Sequence, residues 1–159
     1  KESKMKNFRY LIAMSVVVCV LSCADGRENK AKVLLQEAQT AISKTDYDRA
    51  LSLIDSLRKT CPKAIEERKS ALILYQQAYE KKTEKLIQNL MSELDKVNDE
   101  VRKMETVSER HKSEGVATAN ELSALTTLRL RRDSIQAKFD AACATMRLVH
   151  KKIAEERGK

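Results

Sequence analysis

From Asp25-Gly26 onward, apolar and small residues recur at helical spacing along the whole chain. Val33, Leu34, Ala38, Ala41 and Ile42 keep the three-and-four step of an amphipathic helix until Ser43-Lys44-Thr45 interrupts it. Thr45, with Asp48 three residues on, approximates a capping box. A second helix is expected from about Asp46 to Thr60, with Tyr47, Ala50, Leu51, Ile54 and Leu57 facing inward and Pro62 ending it. From about Lys63 the pattern runs without a breaker to roughly Lys112. Ile65, Leu72, Tyr75 and Tyr79 form a broad stripe suited to packing on the first two helices.

Beyond that stripe the period becomes heptad. Thr83, Leu90, Val97, Met104 and His111 hold one position, and Ile87, Leu94, Val101 and Ser108 hold the other. Ser113-Glu114-Gly115 reads as a stop, with Gly115 free to take a left-handed C-cap, and Thr118 with Glu121 reads as a new start. A second seam follows, Leu125, Arg132, Phe139, Met146 and Ile153 alternating with Leu128, Ile135, Ala142 and Val149. Two seams joined by a short loop predict an antiparallel coiled-coil hairpin in which Met104 lies by Leu128, Val97 by Ile135 and Leu90 by Ala142. In that register Arg132 faces the neighbourhood of Glu100, where a polar seam residue would fix the register. Alternatively, its stem packs and its guanidinium reaches water. The expected fold is all-α, a helical hairpin over 31–62 followed by a long coiled-coil hairpin over 63–157.

The N-terminus has a different pattern. Lys6 and Arg9 precede a run from Leu11 to Leu21 that is apolar but too short to span a bilayer, and the run ends at Ser22-Cys23. Met5 is the natural start. Val20-Leu21-Ser22-Cys23 resembles the lipobox of bacterial lipoprotein signal peptides, with Leu21 where a smaller residue is commoner. The resemblance implies cleavage of 1–22, a diacylglycerol thioether on Cys23 and acylation of the new terminus, leaving 23–30 as a lipid-anchored linker. Several acyl chains hold a protein on a membrane where one binds only marginally. Ala24 stands where some sorting rules place Asp for retention at the inner membrane, so the outer membrane is the favoured address.

Leu34, Ala38, Ala41, Tyr47, Ala50, Ile54, Leu57 and Pro62 resemble the spacing of a tetratricopeptide repeat, a family in which small residues let paired helices approach. Glu37 replaces the usual Leu, and no aromatic residue opens the motif. One repeat length further on, Lys81, Glu84, Gln88 and Lys96 occupy the key positions, so no second repeat follows. An ordinary αα-hairpin meets the same spacings, and the fold is the same either way. On this reading Tyr47, Tyr75 and Tyr79 are the residues expected to face a partner.

Composition narrows the function classes. With 159 residues, three Gly, one Pro and no Trp, the chain lacks the turns of an all-β sandwich and the glycine-rich loop of a phosphate-binding enzyme. The formal charge of +8 invites a nucleic-acid reading. However, acids are interleaved with Arg129-Leu130-Arg131-Arg132 and with the lysine pairs, as on a solvated helix face, and no aromatic platform accompanies them. Lys1, Lys4, Lys6 and Arg9 would leave with the signal segment. Cys61 and Cys143 fall at different places in the register, which argues against a disulfide. His111 and His150 lie far apart with no ligand cluster, so neither a metal site nor a nucleophile with its base is expected. The expectation is a non-enzymatic, lipid-anchored scaffold, spacer or adaptor of the cell envelope. It would need no cofactor, bind neither a small-molecule substrate nor nucleic acid, and engage a protein partner or a second copy of itself. A tetratricopeptide-like peptide-binding module and a basic rod touching anionic polymer or nucleic acid are the alternatives.

Overall fold

The computed structural model describes residues 29–158, which form four helices and, among the described residues, no strand. The fold is all-α. Helix α1 covers 29–43, α2 is Tyr47–Thr60, α3 is Ile65–Ser113 and α4 is Ala119–Arg157. By its contacts the chain divides into two compact units, the first ending at Tyr79 and the second beginning at Glu80. The division falls inside α3, not at Pro62, because the start of α3 packs with α1 and α2.

In the first unit Ala31, Ala38, Ile54, Leu57, Cys61 and Ala71 form a buried cluster, and Ala41, Ala50 and Ala78 form another. Six of these nine residues are alanines, three from α1, one from α2 and two from α3. Small side chains allow backbones to approach closely, and the larger Ile54 and Leu57 fill what remains.

Both tight turns close by the same device. At the end of α1, Thr45 takes a left-handed conformation (φ 59°), its N–H donates to the Ile42 carbonyl and that of Asp46 donates to the Ala41 carbonyl. At the end of α3, Gly115 (φ 69°) donates to the Lys112 carbonyl and Val116 to that of His111. Both are Schellman motifs. The first corrects the expected capping box. Thr45 is spent on closing α1, and the next residue, Asp46, caps α2 by accepting from the Arg49 N–H at 3.1 Å. Thr118 caps α4 as its spacing predicted, accepting from the Glu121 N–H.

In the second unit Leu90, Val97 and Val101 of α3 meet Leu125, Ile135 and Ala142 of α4, flanked by Ile87, Leu94, Met104, Leu128 and Phe139. Side-chain pairs order the two helices antiparallel: Glu80 with His150, Glu100 with Arg131, Glu105 with Arg129 and His111 with Glu121. Every residue assigned to the two heptad seams, from Thr83 to His111 and from Leu125 to Ile153, is buried or half-buried.

Candidate interaction surfaces

The aromatic residues expected to face a partner divide into two environments. Tyr75 and Tyr79, one turn apart on α3, stack with ring centroids 6.0 Å apart and planes 10° from parallel. The Arg58 guanidinium carbon sits 4.7 Å from the Tyr75 centroid, a cation over a ring face. Tyr75 is half-buried and also packs on the core of the first unit. Its ring is therefore largely committed to its own chain. Tyr47, half-buried at the first position of α2, is not part of this stack.

A cleft of about 430 Å³ opens beside α1 and α2, lined by Val33, Gln36, Glu37, Thr40, Ala41, Lys44, Asp46 and Arg49. Sequence reasoning did not find it. Its walls are mostly polar residues about one turn apart on α1, with Val33 and Ala41 among them, together with the residues around the α1–α2 turn, and they look in sequence like any solvated flank. Charges of both signs line it, which suits a peptide better than a single anion or cation.

Arg132 does not reach Glu100. Its guanidinium makes two bonds to its neighbour Asp133, 2.9 and 2.8 Å long, and Arg131 is the residue within 3.6 Å of Glu100. Arg132 occupies its seam position half-buried, and an adjacent carboxylate is closer to its tip than one across the seam. The polar cross-connections are instead made beside the seam. Arg129 grips Glu105 with two bonds of 3.0 and 2.6 Å. Both histidines of the chain join α3 to α4: His111 Nδ1 lies 3.0 Å from Glu121 Oε2, and His150 Nε2 lies 3.0 Å from Glu80 Oε1. The heptad register contained this signal, since it places 111 opposite 121 and 150 near 80.

The tip pair is the more enclosed. The Glu121 side chain is 12% exposed, and its Oε1 is buried with no hydrogen-bond partner among the described residues. Ser108 Oγ, on a residue 1% exposed, is likewise unpartnered. Cys61 is buried, with its Sγ 3.5 Å from Thr60 Oγ1, and Cys143 is half-buried; neither forms a disulfide among the described residues. Among the described residues, no group of three His, Cys, Asp or Glu is placed to hold a metal, and no helix is long and apolar enough to cross a membrane. Cys23, the expected lipid attachment point, lies outside the described residues. No family model, curated protein or solved structure matches the chain.

Proposed function

We propose that the chain is a lipid-anchored protein of the bacterial cell envelope that acts as a non-enzymatic helical scaffold, spacer or adaptor. The observation that carries this reading is the order of features at the N-terminus: Lys6 and Arg9, a short apolar run, then Ser22-Cys23. The helical part supports the scaffold reading in that its long helices present extensive solvated faces. Metabolic labelling with palmitate tests the anchor: the wild-type chain takes up label, and Cys23→Ala loses it. Continued labelling of the variant would sink the lipoprotein reading. Crosslinking in living cells from Val116, at the tip of the helical hairpin, is expected to capture an envelope protein or a second copy.

A second reading, a protein- or peptide-binding module that assists an envelope assembly, is favoured by the cleft beside α1 and α2. Its lining Val33, 54% exposed, offers an apolar contact beside Arg49 and Asp46. Arg49→Glu, which reverses the charge at one position and leaves the cleft wall net acidic, is expected to abolish capture of a peptide partner and to leave helix content unchanged.

A further inference from the structure

Helix α4 is apolar on two opposite sides. One side is the seam toward α3, already described. The other comprises Leu130, Ser134, Ala137, Ala141, Ala144 and Leu148, every one of them exposed, with Leu130 and Leu148 at 65% and 64%. The steps between these residues are four, three, four, three and four, which is again the spacing of a heptad seam, and among the described residues nothing is packed on this one. At about 1.5 Å per residue the face is roughly 27 Å long.

The order of residues on this face reads nearly the same in both directions. Laid antiparallel on a copy of itself and centred on position 139, it sets Leu130 against Leu148, Ala137 against Ala141 and Ser134 against Ala144, and each pair recurs on the other side of the centre. Such self-complementarity is what a two-fold interface requires, since residue i must meet j while j meets i. A foreign helix would impose no such symmetry. The small central residues let two backbones approach closely, and the terminal leucines close the ends of the contact.

The charges at one edge agree. In an antiparallel two-fold pair, like edges face one another. Asp133, Asp140 and Arg147 share one edge, and the arrangement puts Asp133 of one copy beside Arg147 of the other, twice. Arg147 is exposed and has no ion-pair partner among the described residues, while Asp133 is engaged only by its neighbour Arg132. Close to the axis Asp140, which accepts from Gln136, and Lys138 each approach their own symmetry mate. All four residues are exposed, so this repulsion and the Asp133–Arg147 attraction are both weak, and the charges favour the antiparallel order more than they add affinity.

We infer that the outward face of α4 is a homodimer interface, taking the same face of a second copy of this chain in antiparallel order. The inference rests on the scaffold reading and specifies its partner as a second copy of the chain.

The test uses the full chain in non-ionic detergent, with mass followed by sedimentation equilibrium against loading concentration. The parent is expected to approach twice the monomer mass as concentration rises. Leu130→Glu with Leu148→Glu, and separately Leu130→Lys with Leu148→Lys, should each stay monomeric over the same range. Mixing the acidic and basic variants should restore the dimer, because position 130 of one chain faces 148 of the other. These positions are on the exposed side of α4, so circular dichroism should report unchanged helix content. With Cys19, Cys23, Cys61 and Cys143 replaced by Ala, a mixture of Ala137→Cys and Ala141→Cys chains should oxidise to the mixed 137–141 product in preference to same-position products.

A parent that stays monomeric overturns the inference, as does undiminished dimerisation of the charged variants. Preferential same-position crosslinking overturns the antiparallel order. Capture of a different protein from position 130 in cells assigns the face to another occupant and overturns the second copy. None of these outcomes affects palmitate labelling of Cys23, so failure of the interface and failure of the anchored-scaffold reading are distinguishable.

Discussion

Thr45 and Gly115 occupy the same conformation at the ends of two helices, and only one of them is suited to it. A β-branched residue at positive φ brings its Cβ against the backbone, at a cost of roughly 1–2 kcal/mol that glycine avoids. Thr45→Gly should therefore stabilise the chain by about 1 kcal/mol, after glycine's larger entropy in the unfolded state is deducted. Gly115→Ala should destabilise it by about 1 kcal/mol through backbone strain alone, since an added Cβ meets nothing within 4 Å. Urea midpoints for the two variants should move in opposite directions. Ser108 offers a third comparison. Its buried hydroxyl finds no partner among the described residues, so Ser108→Ala removes an uncompensated polar group and favours the helix, with an expected gain of about 1 kcal/mol. Neither effect is legible in sequence. Thr45 reads as a cap and Ser108 as a seam position, and only the chain path shows that the first is left-handed and the second has nothing to bond.

For the helices, the two histidine–glutamate pairs have the same distance and different surroundings. His111→Ala leaves Glu121 with both carboxylate oxygens unpartnered in a site 12% exposed, and is expected to cost about 1–3 kcal/mol. His150→Ala breaks a pair whose members are 58% and 36% exposed, and should cost less than about 1 kcal/mol. Thermal unfolding of the two variants side by side would check the ranking. The alanines of the first unit give a packing prediction at the same scale. Ala50 is fully buried where α2 contributes to a cluster with Ala41 and Ala78, so Ala50→Leu should destabilise by about 1–3 kcal/mol or more. The helices themselves, including the turn at Gly115 and the cap at Thr118, follow from apolar spacing. The polar partners across α3 and α4 do not, because several residues on each flank lie within reach of one another. The two arginines have the same length, so position around the helix and side-chain direction chose Arg131 over Arg132 for Glu100.

Across the whole molecule, two separate cores share one continuous helix. Ile54 belongs to the first and Ile135 to the second. Hydrogen exchange should follow that division: Ile54→Ala is expected to lose protection in residues 29–79 before 80–158, and Ile135→Ala the reverse. Simultaneous loss across both would show that the helix α3 couples them into one cooperative unit. The heptad change after Tyr79 marks where one core gives way to the next, although the strongest punctuation, Pro62, lies elsewhere.

By itself the sequence determined that the chain is helical, where its turns fall and which face of each long helix is apolar, because helical periodicity and capping are local properties of neighbouring residues. It also carries the signal-like order that ends at Cys23. The tertiary structure alone decided that the core boundary lies inside α3, that the cleft opens beside α1 and α2, that Arg131 and not Arg132 meets Glu100, and that, among the described residues, one of the two apolar sides of α4 is uncovered. These features depend on which groups from distant parts of the chain come within a few ångström of each other, and a one-dimensional pattern leaves several choices that only packing reduces to one.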